Sequence, residues 1–92
     1  MKYSQKLVDL AGVLAGIRTS EEVMEFLDGI LTPTEIDEIS TRLQIVKMLK
    51  RGVSQRKIAQ KLGISVATVS RGSKALKQGK FRIIENEHIR YK

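Results

Sequence analysis

Apolar positions recur at helical spacing through most of the chain, and before residue 81 no stretch alternates in the way a half-buried strand would. Leu7, Leu10, Leu14 and Ile17 fall on one stripe, which Val8, Ala11, Val13 and Ala15 widen beyond what a surface helix needs. So broad an apolar face predicts burial against a second chain. A second helix is predicted from Ser20 as N-cap, with Glu21 and Glu22 in its first turn, Val23, Phe26, Leu27 and Ile30 inward, and Gly29 near its end. The longest helix is expected in LTPTEIDEISTRLQIVKMLKRG. There Thr32 is the cap, Pro33 takes the first-turn place that tolerates a missing N–H, acids fill the beginning, cations fill the end, and Gly52 closes it. Its repeat of Ile36, Ile39, Leu43, Val46 and Leu49 predicts the central strut of the core. The final segment, FRIIENEHIRYK, fits either a helix through Phe81, Ile84, His88 and Tyr91 or a strand through Phe81 and Ile83.

Between Ser54 and Leu76 the pattern shortens to two helices across a tight turn, SQRKIAQKLG and then ISVATVSRGSKAL. A helix-turn-helix needs a small residue where its helices cross, a residue able to take a left-handed backbone at the turn, and apolar residues facing inward on both helices. Ala59, Gly63 and the set Ile58, Leu62, Ile64 and Val69 meet those needs, and Ser54 and Ser65 stand where N-caps belong. Projected at 100° per residue, the second helix has three sides. Val69, Gly72, Ser73 and Leu76 point to the core; Val66, Ala67, Ser70, Lys74 and Lys77 point outward; Thr68, Arg71 and Ala75 lie on a third side. Short side chains let a helix approach the floor of a DNA major groove, and cations meet its phosphates.

Ninety-two residues make one domain, 1–92, with the helix-turn-helix at about 54–77 and a core small enough that oligomerisation is expected. The absence of Cys excludes disulfides and thiolate chemistry, and suits a cytoplasmic setting. With His88 as the single histidine, neither a His-based metal site nor a Ser-His-Asp constellation can be built within one chain, so no enzyme and no metal are expected. The longest apolar run, residues 10–17, is too short to cross a bilayer, and Asp9 interrupts the N-terminal run that a signal peptide would need.

Charge distribution sharpens the picture more than the formal total of +7. Residues 1–38 carry eight acids against three bases, whereas residues 39–84 carry twelve bases and no acid at all. Such a block calls for a polyanion as partner.

The stretch from Leu31 to Lys77 resembles the Trp repressor family, through its LTP, the Thr41-Arg42 pair, the RG-x-SQR of 51–56 and the AT-x-x-RGS of 67–73. The resemblance implies an all-α fold of five to six helices, an intertwined homodimer, and two helix-turn-helix units set against successive major grooves of double-stranded DNA. It implies that Arg56 reaches a guanine edge, that Val66, Ala67 and Ser70 point into the groove, and that Lys77 touches the DNA backbone. With Ala59 and Lys74 these form the candidate DNA-binding set. In that family repression depends on L-tryptophan held between two arginines, which match Arg42 and Arg71; Thr32, Val46, Thr68, Gly72 and Ala75 complete the candidate pocket. Two positions depart from the pattern. Ala75 replaces a Ser hydroxyl near the ligand ammonium, and Gly29 replaces a Leu that walls the ring from the partner subunit. A small-molecule corepressor, tryptophan or another, is thus one reading, and ligand-independent DNA binding is the other.

The residues also admit blander roles. Arg56 read alone suits a solvated helix start, Val66 a core position, and Arg42 or Arg71 a phosphate or carboxylate contact. A module that docks its basic face on RNA or on an acidic protein is the alternative of a different class. In the resembled family a further helix follows residue 79, introduced by a Pro that this chain lacks.

Overall fold

The computed structural model describes residues 2–84, which form five helices: α1 (Gln5–Gly16), α2 (Ser20–Ile30), α3 (Pro33–Lys50), α4 (Gln55–Leu62) and α5 (Val66–Lys77). His88, Tyr91 and most of the ambiguous C-terminal segment lie outside the described residues. The chain falls into two compact units, one running to Ile36 and the other starting at Asp37.

Each helix in the first unit starts on a side-chain cap. Ser4 Oγ accepts the Leu7 N–H at 3.2 Å, and Gln5 Nε2 donates to Asp9 Oδ1 one turn on. At α2 the cap is Thr19, one residue ahead of the expected Ser20. Thr19 Oγ1 accepts the Glu22 N–H while Glu22 Oε1 accepts the Arg18 N–H. The spacing explains the choice: three residues beyond Thr19 stands a carboxylate able to reach back, whereas three beyond Ser20 stands Val23. At the start of α3 Thr32 and Glu35 pair reciprocally, Thr32 Oγ1 accepting the Glu35 N–H at 3.1 Å and Glu35 Oε1 accepting the Thr32 N–H at 2.8 Å. Neither α1 nor α2 buries a residue, and Leu7, Val8, Val13 and Leu14 on α1 are all exposed.

In the second unit the core gathers Ile45 and Met48 of α3, Ile58 and Ala59 of α4 and Val69 of α5, with Leu49, Val53, Leu62 and Ile64 packed around them. Ile58 and Val69 have no exposed surface. The expected stripe on α3 holds in part: Val46 is buried and Leu49 packs around the core, but Ile45 and Met48, absent from that stripe, are buried too, while Ile39 and Leu43 keep 46% and 43% of their surface exposed. At 100° per residue the helix carries two apolar faces, Ile36, Ile39 and Leu43 on one and Ile45, Met48 and Leu49 roughly opposite. The second is filled by α4 and α5; on the side of the first, Val46 is buried while Ile39 and Leu43 stay exposed. After α5 the chain turns through residues 81–84 rather than entering a strand, and Lys50 Nζ donates to the Ile84 carbonyl, tying this turn to the end of α3.

Candidate nucleic-acid interface

Residues 54–77 form the pair of helices that the sequence predicts. Ser54 Oγ accepts the Lys57 N–H and Ser65 Oγ the Thr68 N–H, so each helix opens on a serine cap. Gly63 sits at φ 67°, ψ 38°, and its N–H and that of Ile64 both reach back to the Ala59 carbonyl. A left-handed residue at this point reverses the chain within two residues, and glycine takes it without the Cβ penalty. Ala59 is buried at the crossing of α4 and α5. Its side chain belongs to the core cluster with Ile58 and Val69, so of the candidate DNA-binding residues it alone is buried.

The three sides of α5 are as expected. Val69 is enclosed, and Gly72, Ser73 and Leu76 are half-buried beneath it. Val66, Ala67, Ser70, Lys74 and Lys77 are exposed, as is Arg56 in the first turn of α4. Val66 keeps 47% of its surface exposed, which removes its reading as a core residue. Sequence reasoning passed over Gln55. The Ser70 hydroxyl donates to Gln55 Oε1 at 2.6 Å, a bond from the outward face of α5 to the first residue of α4. Fifteen residues separate the partners, so no local pattern announces it.

The third side of α5 faces a cleft of about 490 Å³ against α3. Arg42, Val46, Thr68, Arg71, Gly72 and Ala75 line it, so the structure brings six of the seven candidate pocket residues together. Thr32, the seventh, is not among the lining residues; its side chain is the cap of α3. Asp37, Glu38 and Phe81 line the cleft without having been expected there. Glu38 stands one helical turn before Arg42, a spacing that could have flagged it, whereas Phe81 depends on the turn after α5. Gly72 forms part of the cleft wall because α5 and α3 approach closely: a Cβ there would stand 3.0 Å from Ile45 Cγ2. Among the described residues no cluster of His, Cys, Asp and Glu could hold a metal, and no helix is long and apolar enough to cross a membrane.

Five helices without a strand among the described residues, and a capped helix pair turning at Gly63, define a helix-turn-helix protein. Its family is equally definite. The sequence pattern of the Trp repressor protein family matches residues 5–85, and the chain belongs to that family. A Trp operon repressor homolog of Actinobacillus succinogenes is 52% identical over 54 residues, 58% of this chain and 54% of that protein. One from Vibrio vulnificus is 39% identical over 74 residues, covering 79% and 70% of the two chains. A Bacillus subtilis protein described as "Uncharacterized protein YerC" is 32% identical over 75 residues, covering 82% and 72%. The chain thus spans about half the length of the Actinobacillus relative.

Proposed function

We propose that this chain is a sequence-specific DNA-binding transcriptional regulator, a repressor that occludes a promoter as a symmetric homodimer, and not an enzyme. One observation carries the reading: the outward side of α5 presents Val66, Ala67, Ser70, Lys74 and Lys77, all exposed, inside a stretch of sequence without an acid. Small side chains admit the helix to the groove, and the cations supply sequence-independent attraction to phosphate. The names of the relatives from Actinobacillus and Vibrio, Trp operon repressor homolog, support the same reading. The unfilled apolar faces of α1 and α3 support a second copy as partner, since exposed apolar surface of this extent marks an interface. Its site of action is the cytoplasm, where the DNA is. Selection of bound duplexes from a random pool should enrich a two-fold sequence with half-sites about 34 Å apart. Enrichment without sequence preference, or displacement of DNA by RNA or polyglutamate at equal charge, overturns the reading in favour of a basic interaction module.

The cleft favours a regulator that senses a small molecule. Its volume falls within the range of small-molecule sites, and its guanidinium pair suits a carboxylate. Ala75 lacks the hydroxyl that accepts from a ligand ammonium, which weakens L-tryptophan about ten- to a hundredfold where neither Asp37 nor Glu38, carboxylates lining the same cleft, takes its place. Calorimetry with tryptophan, indole compounds and nucleotides tests this, with Ala75→Ser and Gly29→Leu combined as the variant that should strengthen tryptophan. No heat with any of them leaves a regulator that binds DNA without an effector.

A further inference from the structure

A serine hydroxyl in a DNA groove can act as donor or acceptor, and so by itself tells bases apart poorly. In this chain the choice is already made. The Ser70 hydroxyl donates to Gln55 Oε1 at 2.6 Å, inside the normal range for an O–H···O bond. A helical serine commonly turns its proton back to the carbonyl one turn earlier, but here the proton crosses to the neighbouring helix. The two helices that carry the bond cannot drift apart, because Ile58 and Val69 lock them together with no exposed surface. Gln55 is itself half-buried, whereas Ser70 is exposed.

We propose that Gln55 is a positioning residue for base recognition: it holds the proton of Ser70, leaving that oxygen only lone pairs to offer the major groove. Groove edges that donate are the amino groups of adenine and cytosine; guanine and thymine present acceptors at the corresponding places. Ser70 therefore selects adenine or cytosine at one position of each half-site. The inference rests on the DNA-binding reading above, and gives it a specific base preference.

The test uses the full chain in selections from a random duplex pool, with wild type, Ser70→Ala, Gln55→Leu and Gln55→Glu. Wild type should enrich adenine or cytosine at one position per half-site by roughly three- to tenfold, the worth of one hydrogen bond. Ser70→Ala should lose the preference at that position and at no other. Gln55→Leu should admit guanine and thymine there while keeping the salt dependence of binding. Gln55→Glu retains an acceptor and suits a helix start, so it should keep the base preference even where its charge weakens all binding. Circular dichroism checks folding, and Gln55→Glu against Ser70→Ala carries the comparison if Gln55→Leu unfolds. Guanine or thymine at the Ser70-dependent position, no position altered by Ser70→Ala, a preference untouched by Gln55→Leu, or one lost in Gln55→Glu each overturns the proposal. Failure of wild type to enrich any sequence is a separate result: it removes the DNA-binding reading itself.

Discussion

At position 72 a distance decides the residue. An added Cβ would stand 3.0 Å from Ile45 Cγ2 and 3.8 Å from Leu49 Cδ1, so the Ile45 methyl must give by a few tenths of an ångström in a filled core. Overpacking of this kind costs about 1–3 kcal/mol, against roughly 0.5–1 kcal/mol gained when alanine replaces a mid-helix glycine. Gly72→Ala should therefore lower the thermal midpoint by about 4–8 °C per kcal/mol, read by circular dichroism at fixed chain concentration. An unchanged midpoint would show that Ile45 yields freely. Ala59 illustrates what the sequence conceals at this scale: its size suited either a helix crossing or an approach to DNA, and its burial with Ile58 and Val69 is not visible in the spacing.

Among the elements, α5 depends on its first turn. Ser65 Oγ accepts the Thr68 N–H at 3.1 Å and lies 2.9 Å from Thr68 Oγ1, which fixes the turn that presents Val66 and Ala67. Ser65→Ala should cost about 0.5–2 kcal/mol, speed amide exchange in that turn, and weaken DNA binding. Equal DNA affinity in the variant would mean that docking itself orders the turn. Both serine caps and Gly63 were legible in the sequence because each acts within three or four residues of itself. The two faces of α3 were not. Helical periodicity shows that apolar residues share a side, but Ile36, Ile39 and Leu43 and the opposite set Ile45, Met48 and Leu49 both satisfy it. Which face fills first depends on α4 and α5, elements far along the chain. Gln55 and Phe81 were missed for the same reason: the bond of Gln55 to Ser70 and the place of Phe81 in the cleft lining are not revealed by the spacing of residues.

For the whole molecule, charge and apolar surface make separate predictions. Removing a cation that touches phosphate should reduce the salt slope of DNA binding by about one. On the proposed homodimer, with Lys77 at a phosphate, Lys77→Ala should lower the slope by about two while the order of preferred sequences stays the same. A changed order would place Lys77 at a base instead of a phosphate. Leu43→Glu puts a charge on the face of α3 that lies outside the subunit's own core. It should shift the chain from dimer to monomer in sedimentation, with the helical content of residues 54–77 retained. A dimer that survives the substitution would place the subunit interface elsewhere.

The unfilled face of α3 also bears on dose. When one helix must lean on a second copy, DNA occupancy at low protein levels rises with the square of the chain's abundance, not in proportion to it. A cell halving its supply of this protein would then lose about three quarters of the paired species, so a modest change in synthesis or degradation would release the promoter sharply.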